Sequence, residues 1–171
     1  MERVLLVIDM QNAFINEHNM HTVDNLKLLL DKKPNVFDTC IFTRYINSED
    51  TACNKLLGYS GCWKGTYGVD ITEKLQGYAT KVIDKTTYGA ITLDIACYLR
   101  DNQIDTVFIA GVDTDACVLA TAYQLFDLCI RPVIITDCCG TTANDPNAHD
   151  NAIACIRRNM GPLSLALSTD V

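Results

Sequence analysis

No apolar run in this chain is long enough to cross a bilayer or to form the core of a secretory signal. The first, Val4-Leu-Leu-Val-Ile8, is cut off by Asp9. A cytoplasmic chain without a membrane partner is the expectation. Basic residues are few: 14 Lys and Arg stand against 21 Asp and Glu, for a formal net charge of -7. That balance argues against general nucleic-acid binding, which needs a basic surface to neutralise phosphates. There is no Cys-x-x-Cys pair, no internal repeat and no low-complexity tract. The nine cysteines, odd in number and irregularly spaced, therefore read as reduced thiols rather than as a disulfide frame, a zinc knuckle or a thioredoxin-type redox pair.

What is present suits one compact domain over 1–171. Hydrophobic residues make up 49% and charged residues 20% of the 171, enough apolar surface for a sizeable core. The pattern along the chain alternates between strand and helix. Val4 to Ile8 reads as a buried strand, and a helix capped by Thr22 follows, with Val23, Leu26, Leu29 and Leu30 on one face and an end near Pro34. Phe37 to Thr43 is a second strand that delivers Arg44 and Tyr45. Residues 46–69 carry no sustained period and read as a long loop leading to a short helix near Asp70 to Leu75; loops of that length are commonly functional.

Ala79 to Asp84 is a third strand presenting Lys85, and a helix runs from about Thr92 to Arg100. Strand four lies in Thr106-Val-Phe-Ile-Ala-Gly-Val-Asp-Thr-Asp-Ala-Cys-Val118, an apolar run that breaks at Gly111 before a helical period begins. The helix over 114–128 directs Cys117, Ala120, Leu125 and Leu128 toward the sheet. Val133 to Thr136 is strand five, ending at Asp137. Asp145-Pro146 starts a last helix that Gly161-Pro162 closes near Met160, and Leu163 to Leu167 is a sixth strand. This predicts an α/β fold: a three-layer α/β/α arrangement on a doubly wound six-stranded parallel sheet, order 3-2-1-4-5-6, with right-handed crossovers.

In such sheets the ligand site lies beyond the carboxyl ends of the strands, where the strand order reverses. The residues expected there are Asp9, Arg44, Lys85, the Gly111 to Cys117 turn and Asp137. If Thr114 caps its helix, Cys117 is the third helical residue, where free N–H groups and the dipole favour a thiolate. A nucleophilic cysteine needs a base and a cation, and Asp9 and Lys85 supply both types. Arg44 offers a bidentate fork for a carboxylate or carbamoyl oxygen, or else a salt bridge at a loop edge. Phe14, Trp63 and Tyr88 line an apolar wall of the site or belong to the core.

Three blocks, Leu6-Val-Ile-Asp-Met-Gln-Asn-Ala-Phe14, Lys85-Thr-Thr-Tyr-Gly-Ala90 and Gly111-Val-Asp-Thr-Asp-Ala-Cys-Val118, resemble the signature blocks of the isochorismatase-like cysteine hydrolases. The resemblance implies a hydrolase of carbon–nitrogen bonds in a small amide, carbamoyl or ureido compound, with Asp9, Lys85 and Cys117 as its triad and a thioester intermediate. It also implies a cis peptide at Val112-Asp113 that turns the Asp113 and Cys117 N–H groups toward an oxyanion, and Gln11 beside the substrate. No cofactor is implied, and a homo-oligomer is.

Cys117 sets the chain apart from the true isochorismatases, which lack that nucleophile. Nicotinamidases of the family carry an Asp-x-His and a further His for a metal after strand two, where this chain reads Thr43-Arg-Tyr-Ile-Asn47. No metal is therefore expected; His18 and His21 lack a convergent ligand set, and His149 reads as structural. Two alternatives accompany the main reading. One is a nicotinamidase; the other is a binding or redox-sensing module in which Cys117 is oxidised or capped and nothing is turned over.

Overall fold

The computed structural model describes residues 2–171. Six parallel strands form one sheet in the order β3-β2-β1-β4-β5-β6, as expected. They are β1 (Val4–Ile8), β2 (Thr39–Tyr45), β3 (Lys81–Lys85), β4 (Thr106–Val112), β5 (Arg131–Gly140) and β6 (Leu165–Ala166). Each crossover carries helix: α1 (Met20–Lys32), α2 (Ala52–Leu57), α3 (Leu93–Asp101), α4 (Leu119–Asp127) and α5 (Ala148–Met160).

Strand periodicity divides the core into two layers. Along β1, Val4, Leu6 and Ile8 pack with Ile95 and Leu99 of α3, Leu125 of α4 and Ile156 of α5. Leu5 and Val7 face the other way, onto Val23, Leu26 and Leu29 of α1. Successive side chains of a strand point to opposite faces, so a strand covered on both sides is apolar throughout, as β1 is.

Several boundaries differ from the sequence reading. Helix α1 begins at Met20, two residues before Thr22, and the Thr22 hydroxyl donates back to the Asn19 carbonyl at 2.7 Å instead of capping. Residues 46–69 are not structureless: Thr51 caps α2 by accepting from the Asn54 N–H. The 3-10 turns Tyr67–Val69 and Glu73–Tyr78 lead into β3. In α4 the buried residues are Thr121, Ala122 and Leu125, while Leu128 lies exposed past the helix end. Helix α5 starts at Ala148, because Asp145 uses its carboxylate on the Asn147 N–H in the turn before it.

The largest difference is β5, which continues through Asp137 to Gly140 after a register irregularity opposite β4 between Ile109 and Gly111. Asp137 is thus mid-strand, and its carboxylate accepts from the Ser168 N–H and hydroxyl at 2.9 and 2.6 Å. It anchors the C-terminal segment and takes no part in the site at the strand ends. Among the described residues no helix is long and apolar enough to cross a membrane.

Candidate active site

The carboxyl ends of β1, β3 and β4 converge where the strand order reverses, between β1 and β4. Gly111 makes the approach possible. It pairs with Ile8 across the β1–β4 ladder at φ +136, and a Cβ there would lie 2.2 Å from the Ile8 carbonyl oxygen. No L side chain fits against backbone at that distance. Gly111→Ala is therefore expected to displace the end of β1 and to lower stability by more than the about 1 kcal/mol typical of point substitutions. Urea unfolding monitored by circular dichroism measures it.

Just beyond Ile8, Asp9 turns the chain at φ 48, in the left-handed region that Asp tolerates better than most residues. Its carboxylate is buried. Oδ1 accepts from the Thr43 hydroxyl at 2.8 Å, and Oδ2 lies 2.6 Å from Lys85 Nζ. That second contact is a close, buried ion pair. Lys85 is equally buried. Its ammonium donates to the carbonyls of Thr87 and Tyr88 at 2.7 and 3.1 Å and stands 3.6 Å from Cys117 Sγ. The structure thus brings Asp9, Lys85 and Cys117 around one ammonium.

Cys117 sits in a wide turn, Thr114–Val118, that runs directly into α4. The peptide before it, Val112–Asp113, is cis. The N-cap position is Asp113 rather than Thr114, so Cys117 is one residue further into the turn than expected. The Thr114 hydroxyl instead donates to the Gly140 carbonyl at 2.9 Å and lies 2.9 Å from His149 Nδ1. Since that hydroxyl proton is committed, Nδ1 of His149 must carry the proton it donates.

The electrostatics of Cys117 differ from the thiolate expected at a helix start. Burial pushes its pKa well above the ordinary thiol range, Asp9 pushes it further, and Lys85 opposes both. The resting group is a thiol, with desolvation outweighing the dipole. Removing the negative neighbour reverses part of this. Asp9→Asn is expected to make Cys117 more acidic, and the pH profile of its alkylation by iodoacetamide, followed by peptide mass mapping, reads the shift.

A cavity of about 440 Å³ opens onto Cys117 and Asp9, walled by Phe14, Tyr45, Tyr59 and Tyr88 among others. Phe14, Tyr45 and Tyr59 form a triangle with centroids 6.3 to 6.4 Å apart. Phe14 and Tyr88 thus stand on the cavity wall. Three other expected contacts do not. Gln11 is fully buried below the cavity: its amide nitrogen donates to the Tyr45 and Val69 carbonyls, both at 3.0 Å, and its oxygen accepts from the Tyr45 N–H at 2.6 Å. It ties β2 to the following loop, and its buried amide does not reach the cavity wall.

Arg44 points to the opposite face of β2 from Thr43 and Tyr45 and pairs with Asp84 at 2.8 Å, as strand alternation requires. Trp63 pairs through its backbone with Asn47 and is absent from the cavity wall, where Tyr59 and Cys53 stand in its place. Thr43 and Tyr45 were legible as the inward partners of Arg44. Cys53, Tyr59 and Thr142 lie in stretches without a period and carried no such signal.

The residues at the end of β2 and just beyond it do not fit a metal. Thr43, Arg44 and Tyr45 offer no carboxylate or imidazole, and the Asn47 amide is consumed by Ser48, Thr51 and Tyr59. His18, His21 and His149 line a second cavity on the far side of β5, but no three His, Cys, Asp or Glu side chains among the described residues converge as ligands. His149 is half-buried there, and burial lowers its pKa against the raising effect of Asp150. A histidine that is harder to protonate folded than unfolded contributes stability that is complete above about pH 6.5 and is lost as pH falls through and below that value. His149→Gln should remove this component, so that melting temperatures at pH 7.5 and 5.5 differ less in the variant than in the parent.

The doubly wound fold thus sets a buried Asp9 and Lys85 and a partly buried Cys117 together at its switch point. A model of the Isochorismatase domain matches residues 3–166, and the chain belongs to the isochorismatase family of hydrolases. It is 24% identical over 170 residues to a nicotinamidase of Acinetobacter baylyi, covering 79% of each protein. An 80-residue stretch is 36% identical to an isochorismatase family protein, PncA, of Bacillus subtilis; that match covers 42% of this chain and 44% of the relative, less than half of either. The crystal structure of N-carbamoylsarcosine amidase from Thermoplasma acidophilum superposes with a TM-score of 0.84 at 24% identity, covering 100% of this chain and 99% of that one.

Proposed function

We propose that this protein is a metal-independent cysteine hydrolase that cleaves the carbon–nitrogen bond of a small amide, carbamoyl or ureido compound through a thioester. The observation that carries the reading is the contact set of Lys85 Nζ, 2.6 Å from Asp9 Oδ2 and 3.6 Å from Cys117 Sγ, at the floor of the cavity. Relatives of the family named as a nicotinamidase and an amidase support the same bond class.

In this mechanism the Cys117 proton passes to Asp9 as substrate enters, and Lys85 balances the thiolate that forms. The sulfur attacks the carbonyl, and the N–H groups of Asp113 and Cys117 receive the developing oxyanion. Asp9 returns the proton to the departing nitrogen, which leaves as an amine or ammonia. Water, deprotonated by the same carboxylate, then hydrolyses the thioester and restores the thiol. The ammonium shared by Asp9 Oδ2 and Cys117 Sγ suits this shuttling role, since it faces both ends of the transfer.

The test is a screen of neutral and charged carboxamides, ureas and carbamoyl compounds for ammonia release. Nicotinamide belongs in that screen because of the Acinetobacter relative. Release that survives exhaustive chelation and requires Cys117 supports the reading; release that disappears on chelation and returns with added metal contradicts it. A pure thiol sensor would release no ammonia from any of these compounds.

A further inference from the structure

The cavity beside Cys117 is unevenly charged. Its lining holds two carboxylates, Asp9 and Asp113, and among the described residues no arginine, lysine or histidine faces it. Lys85, beneath the wall, is already committed to Asp9 and to the carbonyls of Thr87 and Tyr88, and its charge offsets that of Asp9. Arg44, the cation expected to read a substrate carboxylate, is turned away onto Asp84. Asp113 has no counter-ion. Its two oxygens accept from the Thr142 N–H at 2.7 Å and the Thr142 hydroxyl at 2.8 Å, both neutral donors.

A carboxylate has about four lone-pair sites, so each Asp113 oxygen retains capacity for a second donor. Burial raises the pKa of Asp113, the two Thr142 bonds hold it down, and the like charges of Asp115 and Asp9 add to the rise, so a cation beside it would relieve three negative neighbours at once. The remaining wall is aromatic, from Phe14, Tyr45, Tyr59 and Tyr88. Ring faces attract cations, most strongly in a desolvated site, and the net charge of -7 steers them in the same sense.

We propose that Asp113 selects substrates by charge, so that the amide or ureido compound hydrolysed here bears a cationic group in preference to a neutral one, and carboxylate-bearing compounds are refused. The proposal rests on the assignment of Cys117 as the reactive thiol. It makes Asp113 a specificity-determining side chain, apart from the role of its backbone N–H.

The thiol itself reports the charge preference without a known substrate. Three methanethiosulfonates of similar reactivity serve as probes: trimethylammonium-ethyl (cationic), methyl (neutral) and sulfonato-ethyl (anionic). Their rates at Cys117 are followed by peptide mass mapping at pH 8 and normalised to Cys129, an exposed cysteine of the same chain. The cationic-to-anionic rate ratio at Cys117 is expected to exceed that at Cys129 by at least about tenfold, and Asp113→Asn, which keeps an acceptor for Thr142, to remove most of the excess. Thr142→Val retains the carboxylate charge while removing one of its bonds, and should keep the excess. Equal ratios at the two cysteines, or an excess untouched by Asp113→Asn, would overturn the charge selection alone. So would loss of the excess in Thr142→Val to the same extent. Failure of even the neutral probe to reach Cys117 would overturn the reactive-thiol assignment and the selection with it.

Discussion

Cys117→Ala is expected to lower amide hydrolysis by at least about 10³-fold, roughly 4 kcal/mol of transition-state stabilisation, while leaving the fold intact. The asymmetry follows from where the residue sits. Cys117 is only partly buried at the start of the turn into α4 and packs at the margin of one core layer. Alanine suits a helical turn and removes little apolar volume. The proposed covalent chemistry, by contrast, needs its sulfur. Steady-state ammonia release with a melting curve on the same preparation measures both halves; an inactive variant that is also unfolded would not meet the expectation.

Lys85→Met should act on stability as strongly as on activity. The variant leaves Asp9 buried with only the Thr43 hydroxyl and no counter-ion. Breaking a buried pair by removing one partner costs about 3–5 kcal/mol, which for a chain of this size corresponds to roughly 6–20 °C in melting temperature. The cost belongs to the orphaned carboxylate, not to any large net attraction within the pair. Lys85→Met combined with Asp9→Leu should therefore recover much of the lost stability and none of the activity. Differential scanning calorimetry of the single and double variants separates the two effects, and additive destabilisation in the double variant would contradict this account.

The central strands were readable because they are apolar on both faces. β1 and β4 stand out as β-branched runs, and their ends, Asp9 and the Gly111 to Cys117 turn, fall where the reversal of strand order puts a site. Lys85 was legible only as the residue ending the short run of β3, an edge strand that is largely exposed. What escaped reading depended on contacts between segments distant in sequence. Nothing local announces that β5 continues through Asp137 to Gly140, since the irregularity that extends it arises from pairing with β4.

Side-chain direction was the second obscured quantity. Arg44 lies beside the site in sequence and on the wrong face in space, because one residue along a strand reverses orientation. Gln11 shares a motif with Asp9, yet its amide serves the backbone of Tyr45 and Val69. The charge state of Cys117 was obscured for an energetic reason. Its position in the helical turn favours the thiolate, but burial and Asp9 act the other way and prevail.

In the proposed mechanism Cys117 carries the acyl group. Rapid acid quench of the protein during turnover of the best carboxamide in the screen, followed by peptide mass mapping, tests it most directly. A mass increase equal to the acyl group minus one hydrogen is expected on the peptide bearing Cys117, lost on treatment with hydroxylamine as a thioester would be. Sustained ammonia release by the Cys117→Ala variant would contradict the claim, as would steady turnover with the acyl mass on another residue.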